Sequence, residues 1–258
     1  LVLEMGMDRP GQLHALSTLA EPDVAVITMI GEEHIEFFKT RDKIADAKME
    51  ITDGLKDDGT FIFNGDEPLL QERAKKITQE RETFGLHPEN TIFAHSISGH
   101  RNHTEFTVEA WPDLTFSIPI MGEYNVVNAL AALLVGRKFH VKPEIMQKAL
   151  AHFQVTANRT QWLIGDVGEQ ILSDVYNANP TAMKAVIHDF SEFTATGRHI
   201  AVLGDMLELG EQSPALHAGL AEALDPKEVQ VVYLYGSDMK ALADALAAKY
   251  PADQLHYY

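Results

Sequence analysis

The chain has 258 residues, of which 45% are hydrophobic and 23% charged, and its formal net charge is −17. This balance is typical of a folded globular protein with one large domain or two of ordinary size. The acidic charge argues against nucleic-acid binding, since phosphate contacts need a basic face. No cysteine occurs, so disulfides and thiolate metal sites are excluded, and a reducing compartment, the cytoplasm, is the expected location.

Membrane insertion is not expected. The longest uninterrupted apolar stretch, residues 129–135, is far too short to span a bilayer, and no secretory signal is visible. The chain begins on LVLEMG with no initiator methionine. This beginning predicts a fragment whose natural N-terminus lies upstream.

The first half of the chain alternates short apolar runs with helical periodicity. Strands are predicted at residues 2–4, 24–30, 60–64 and 91–94, and helices at residues 40–55 and 67–77. This alternation predicts an α/β fold with a mostly parallel sheet covered by helices.

The alternating segment 104–120 predicts a β-hairpin around Trp-Pro-Asp. Two helices are predicted to follow it, one from Glu123 and one over residues 143–153, with Pro143 in its first turn.

A short polar link, residues 154–160, predicts a boundary between two domains. The residues after it predict a second α/β unit, made of a hairpin (161–176), two strands (200–204 and 229–236) with helices around them, and a truncated last strand.

Polar side chains follow the predicted strands of the first half. Glu4 closes the first strand, His34 follows the second, and Lys48 lies in a helix. Ligands of open α/β sheets bind outside the carboxyl ends of strands, which is where Glu4 and His34 are expected. The alternatives are a helix cap for Glu4, a surface histidine, and an exposed lysine that pairs with Asp46 or Glu50.

Amides and one guanidinium form further candidates. Asn125 and Asn128 are three residues apart at the start of a helix, and an amide can pair with the edge of an adenine ring; a helix cap is the alternative. Arg159, at the domain boundary, can bind phosphate or form an inter-domain salt bridge. SDVYNANPTAM, residues 173–183, is either a binding loop or ordinary Asn-Pro turn chemistry.

Three common nucleotide-binding or hydrolase motifs do not occur in the chain. The absence of G-x-G-x-x-G disfavours a dinucleotide dehydrogenase, and the absence of G-x-S-x-G disfavours an α/β-hydrolase. No P-loop motif occurs either.

Eight segments in a fixed order resemble the Mur ligase family. They are LEMGMDRPGQL, ITMIGEEHIEFF, IADAKMEI, FNGDEP, GEYNVVNALAA, NRT, SDVYNANPTAM and LGDMLELG, and together they cover nearly the whole chain. The resemblance implies an incomplete central ATP-binding domain over residues 1–156 and a truncated Rossmann-like C-terminal domain over residues 157–258. The N-terminal domain and the P-loop of the family would be missing.

The resemblance implies an ATP-dependent amide ligase of peptidoglycan precursor synthesis, a part of cell-wall biogenesis linked to cell shape and cell division. YNANP and GDMLELGEQSPALH are similar to those of family members that add D-alanyl-D-alanine to UDP-N-acetylmuramoyl-tripeptide through an acyl phosphate. ATP and Mg²⁺ are the implied cofactors, the two substrates are the implied partners, and a monomer is expected. The fragment alone is expected to be inactive.

The resemblance also implies roles for individual residues. Glu4, His34 and Lys48, the last as a carbamate, would bind Mg²⁺; Lys48, His34 and Arg159 would be catalytic; Asn125 and Asn128 would face adenine, Arg159 the ATP phosphates and Asp174 the ribose; and Tyr176, Asn177, Asn179 and Thr181 would bind substrate. Asp205 and Glu208 match the family signature without an assigned role.

Two alternatives stay open. One is another ligase of the same superfamily, similar to folylpolyglutamate synthase, which YNANP and GDMLELG disfavour. The other is a non-catalytic nucleotide-binding module that keeps the fold without the P-loop.

Overall fold

A computed structural model of the protein describes all residues from Leu1 to Tyr258. The chain forms two compact units. Unit 1 consists of Leu1–Ile30 and Phe38–Val155, and unit 2 consists of Gly31–Phe37 and Thr156–Tyr258.

Unit 1 contains a six-stranded sheet whose strands follow one another in chain order. The strands are β1 (Val24–Ile27), β2 (Thr60–Asn64), β3 (Glu80–Gly85), β4 (Ile92–His100), β5 (His103–Val108) and β6 (Trp111–Ile118). The first four run parallel, and β4, β5 and β6 form an antiparallel meander. This architecture confirms the predicted α/β class with a mostly parallel sheet and a hairpin.

The helices in the first part of the chain are α1 (Gln12–Ala20), α2 (Ile35–Phe38), α3 (Arg41–Met49), α4 (Pro68–Ala74), α5 (Glu123–Lys138) and α6 (Pro143–Leu150). A short 3₁₀ helix, Glu50–Thr52, continues α3. Local chemistry determines where several of these helices begin. The Thr40 hydroxyl accepts from the Lys43 N–H at 3.2 Å as an N-cap, and α4 and α6 begin with a proline.

Helix α5 covers the sheet and supplies much of the core. Its buried residues include Val126, Ala129, Leu130, Leu133 and Leu134, a spacing that puts one apolar stripe on one side of a helix. They pack in one cluster with fully buried sheet residues, among them Ile62, Phe84, Phe106 and Phe116.

Three predictions for unit 1 need correction. Residues 2–4 are not a strand, because a strand requires a hydrogen-bonded neighbour and no strand pairs with them. The second strand ends at Ile27 and not at residue 30. The β5–β6 hairpin exists, but its turn is Glu109–Ala110; Pro112 lies in β6, the edge strand, where a missing N–H breaks no ladder bond.

Unit 2 has a parallel three-stranded sheet and a separate hairpin. Its strands are β7 (Gln161–Ile164), β8 (Gln170–Ser173), β9 (Ile200–Gly204), β10 (Val231–Tyr235) and β11 (Leu255–Tyr257), and its helices are α7 (Pro180–Glu192), α8 (Ser213–Ala218) and α9 (Lys240–Leu246). Two 3₁₀ helices, Gly210–Gln212 and Gly219–Ala223, flank α8. The strand–helix order confirms the predicted second α/β unit. No helix of the chain has the length and apolar character needed to cross a membrane.

Tyr250 makes the stability of unit 2 sensitive to alkaline pH. Its side chain is 5% exposed and its hydroxyl donates to the Val229 carbonyl at 2.9 Å. Burial, reinforced by the carboxylates of Asp225 and Glu228, raises the pKa of Tyr250 from 10.0 to about 12. The unfolded chain therefore loses this proton at lower pH than the folded chain, and stability is lost as pH rises through the window from 10.0 to about 12.

We expect Tyr250→Phe to remove this pH dependence. Two pKa units correspond to about 2.7 kcal/mol, so the wild type should lose roughly that much stability relative to the variant across the window. At neutral pH the variant should be about 1 kcal/mol less stable, because it lacks the hydrogen bond. Urea unfolding at a series of pH values measures both effects. Parallel stability curves for the two proteins would contradict the assignment.

Candidate functional site

Lys48 projects from α3 toward the carboxyl end of β1. It is half-buried, and its Nζ donates to the carbonyl oxygen of Met29 at 3.0 Å, two residues after the last residue of the strand. The amine therefore lies in the region where α/β sheets bind ligands.

The carboxylates next to Lys48 in sequence are engaged elsewhere. Glu50 accepts from the Gly11 N–H at 2.8 Å, and Asp46 pairs with Arg73 at 2.7 Å. The two acceptors that an exposed surface lysine at this position would use are thus held by other groups. The role of Lys48 as a site residue stays a prediction.

His34 is oriented by a carboxylate. Its Nδ1 contacts the Oε2 of Glu208, and its backbone is left-handed, with φ of 59°. Both residues belong to unit 2, because Gly31–Phe37 groups with residues 156–258. A histidine that ligates a metal through one ring nitrogen commonly donates the other to a carboxylate. The contact therefore gives Glu208 a structural role that the sequence did not reveal: its carboxylate holds the imidazole ring through Nδ1.

Two residues at the start of α7 contact the same Gly31–Phe37 segment. Asn179 is the N-cap, and its Oδ1 accepts from the Ala182 N–H at 2.8 Å. The other end of the amide, Nδ2, donates to Glu33 at 3.3 Å. The hydroxyl of Thr181 donates to Glu32 at 2.6 Å. Asn179 is therefore both a helix cap, as turn chemistry predicts, and a contact to a second polar segment.

The NRT segment and the SDVYNANP segment form one pair of loops within unit 2. The Oδ1 of Asp174 accepts from the Thr160 N–H at 2.8 Å, and the Tyr176 N–H donates to the Asn158 carbonyl at 3.2 Å. Asn158 and Thr160 have positive φ of 61° and 44°, so the backbone is sharply turned here. These bonds connect two motifs that the sequence separates by a hairpin.

Arg159 and Tyr176 are held against each other by this pairing. The Cζ of Arg159 lies 4.2 Å from the centroid of the Tyr176 ring, a cation–π contact. Both side chains are exposed. The neighbouring Asn177 accepts from the Ala178 N–H at 3.0 Å, which is local turn chemistry.

The remaining candidates, Glu4, Asn125 and Asn128, belong to unit 1. Asn125, in the first turn of α5, donates from Nδ2 to the Met121 carbonyl at 2.7 Å, the type of local bond expected for an amide at a helix start. Asn128 is exposed in the next turn of the helix, and Glu4 is exposed in an irregular segment.

Asp205 acts inside unit 2, where the sequence assigned it no role. Its Oδ1 accepts from the Met239 N–H at 2.9 Å before α9. The next residue, Met206, donates its N–H to the Nε2 of fully buried His217 at 3.0 Å. The Nδ1 of His217 lies 2.8 Å from the Ser213 carbonyl, so this ring nitrogen carries the proton. The GDMLELG segment, which begins at the end of β9, is therefore held by hydrogen bonds at Asp205 and Met206. The fixed spacing between this segment and His217 is the sequence signal that could have indicated these bonds.

Comparisons with known proteins agree along the whole chain. Residues 1–136 match the model of the Mur ligase middle domain, and residues 158–258 match that of the Mur ligase glutamate ligase domain. The UDP-N-acetylmuramoyl-tripeptide–D-alanyl-D-alanine ligase of Bacillus subtilis (strain 168) is 39% identical over 257 residues, covering 100% of this chain and 55% of that protein. The chain thus spans about half the length of the curated relatives it matches.

Two solved structures are similar in fold. MurF from Acinetobacter baumannii superposes with a TM-score of 0.88 at 27% identity, covering 99% of this chain and 55% of that one. MurF from Thermotoga maritima, solved in complex with ADP, gives a TM-score of 0.82 at 26% identity, covering 100% of this chain and 62% of that one.

Proposed function

The chain belongs to the Mur ligase family, and from this premise we propose that it carries the nucleotide-binding and amide-forming regions of a ligase that adds D-alanyl-D-alanine to UDP-N-acetylmuramoyl-tripeptide. The observation that carries the proposal is the 39% identity to a ligase of that name over the entire chain. The pairing of the NRT and SDVYNANP loops through Asp174 and Thr160 supports it, because it joins two segments of the family pattern in one local arrangement.

The reaction would proceed in two substitutions. The terminal carboxylate of the tripeptide attacks the γ-phosphorus of ATP, which forms an acyl phosphate and releases ADP. The amine of D-alanyl-D-alanine then attacks the acyl carbon, an amide bond forms, phosphate leaves and the amine loses a proton to a base. Negative charge accumulates on phosphate oxygens in both steps, so cationic groups aimed at these oxygens stabilise the transition states.

We assign Mg²⁺ binding to Glu4, His34 and Lys48. An ammonium group cannot ligate a metal, so Lys48 fits only as a carbamate, whose two hard oxygens suit Mg²⁺. Its place beside the Met29 carbonyl at the end of β1 and the orientation of His34 by Glu208 support the assignment. When bound, the metal would neutralise charge on the phosphate oxygens.

Nucleotide binding is assigned to residues of both units. Asn125 and Asn128 would offer amide groups to the adenine ring. Asp174, whose Oδ1 is held by Thr160, would accept from the ribose hydroxyls with its other oxygen. Arg159, which lies against the ring of Tyr176, would reach a phosphate with its guanidinium. It is assigned a catalytic role, as are the proposed metal ligands His34 and Lys48.

The polar loop before α7 is assigned to the peptide substrates. Tyr176, Asn177, Asn179 and Thr181 follow one another at the N-terminal end of that helix, where backbone N–H groups attract anionic ligands. We further propose that the protein acts as a cytoplasmic monomer and that the functional boundary between its domains lies between residues 156 and 157.

The choice of amine donor tests the proposal. In a polypeptide extended to the full length of the relatives, ATP-dependent phosphate release should require both the tripeptide precursor and D-alanyl-D-alanine. D-alanine, L-lysine and L-glutamate should each give release at the background rate. Release driven by one of these single amino acids would overturn the specific proposal and leave the family membership intact.

A further inference from the structure

The turn of the β4–β5 hairpin brings two histidines and a glutamate together on one face. His100 pairs directly with His103 across the two-residue turn, and Ser98 pairs with Glu105. Since side chains alternate between the faces of a strand, these four residues project to the same side. Thr104, between His103 and Glu105, and Phe106, after Glu105, are 1% and 0% exposed and face the core. The histidines and Glu105 therefore form a polar cluster on the outer face.

The donor atoms of this cluster lie close together. One potential ligand atom from each of His100, His103 and Glu105 lies within 4.8 Å of the others. The Nε2 atoms of His100 and His103 are each 3.8 Å from a carboxylate oxygen of Glu105. The two imidazole rings stack with centroids 4.4 Å apart and an interplanar angle of 16°. The carboxylate thus lies within reach of both rings at once.

These distances need only a small contraction to surround a metal ion. With metal–nitrogen bonds of about 2.0–2.1 Å, neighbouring ligand atoms of a tetrahedral site are separated by about 3.3 Å. The gap to be closed is about 0.5 Å for the two histidine–glutamate pairs and at most about 1.5 Å for the two ring nitrogens. The three side chains are 42–47% exposed, so side-chain rotations can close it without moving the core. The backbone pairing already fixes the register that brings the ligands together, which lowers the entropic cost of binding.

We propose that His100, His103 and Glu105 form a transition-metal site that takes Zn²⁺ or an ion of similar preference. Two imidazoles with one carboxylate suit Zn²⁺, Ni²⁺ or Cu²⁺ and do not suit Mg²⁺, which prefers oxygen ligands. None of the residues assigned to nucleotide or substrate belongs to this hairpin. Three protein ligands leave at least one coordination position to water. A bound ion would join the two strands next to the turn that connects β4 and β5 and would stabilise this turn.

Isothermal titration calorimetry tests the site, with ZnCl₂ titrated into the full chain. We expect one tight equivalent in the wild type, and affinity weaker by at least about tenfold in His103→Ala and in Glu105→Gln. His152→Ala, which removes an exposed histidine at the end of α6, should bind as the wild type does. No binding by the wild type, or equal binding by all four proteins, would overturn the proposal.

A second measurement needs no variant and so does not depend on how the substitutions fold. Substoichiometric Cu²⁺ broadens the NMR signals of nuclei close to it. Broadening of the amide signals confined to residues 98–105 supports the site. Broadening centred on other histidines, or none, contradicts it.

Discussion

Replacing Lys48 by alanine, in a polypeptide extended to the full length of the relatives, is expected to reduce the proposed ATP-dependent phosphate release by about 10²–10³-fold. The reason is the loss of the proposed carbamate, which would hold the metal ion that neutralises negative charge on the phosphate oxygens, and a group that acts mainly in the transition state has an effect of about that size. Formate, acetate or propionate should restore part of the rate, because a small carboxylate can supply the oxygens of the missing carbamate. Stability should change little, since Lys48 is only half-buried.

Lys43→Ala is the matched control for this experiment. Lys43 lies on the same helix, α3, and its side chain is exposed, so its loss should leave the rate unchanged. Full activity of Lys48→Ala would remove this residue from the site. A loss of activity that no carboxylate rescues would argue that the amine itself, and not a carbamate, is the functional group.

The second large effect concerns Gly54 and the anchoring of α1. The hydroxyl of fully buried Ser17 in this helix donates to the Ile51 carbonyl at 2.5 Å and accepts from the Gly54 N–H at 3.0 Å. An alanine Cβ at position 54 would lie 2.1 Å from the Ser17 carbonyl oxygen and 2.3 Å from its carbon. Because both atoms belong to the backbone, the helix itself must move to relieve the clash.

We therefore expect Gly54→Ala to destabilise the protein by about 2–4 kcal/mol, as overpacking of a tight contact does. Gly197→Ala is the control, since a Cβ there meets no atom within 4 Å, and its stability should stay within about 0.5 kcal/mol of wild type. Urea unfolding measures both differences. Equal stability of the two variants would mean that α1 does not pack against the segment around Gly54.

Sequence patterns predicted the helices and strands that have a strong apolar pattern of their own. Strand β2, with the sequence TFIFN, lies at the predicted residues 60–64, and α5 begins at the predicted Glu123. Both β2 and α5 are rich in apolar residues. The pattern did not reveal β3, ERETFG, because only its last two residues are buried. This strand exists through pairing with β2 and β4, which is information that a local window does not contain.

In the candidate site, too, the sequence indicated individual polar residues but not the distant residues that they contact. The motifs indicated Asp174, Asn179 and His34 as polar residues next to strands or helices. Their partners were not predictable, because Asn179 contacts Glu33 across 146 positions and His34 contacts Glu208 across 174. Asp205 was left without a role for the same reason: its partner, the Met239 N–H, lies 34 positions away.

The mass of the reaction product tests the proposed function most directly. The polypeptide extended to the full length of the relatives should be incubated with ATP, Mg²⁺, the tripeptide precursor and D-alanyl-D-alanine, and the nucleotide-linked product analysed by mass spectrometry. We predict a product equal to the precursor plus the dipeptide minus one water, formed in equal amount to the ADP released. ADP formation with the precursor mass unchanged, or with the mass of one added amino acid only, would contradict the proposed function.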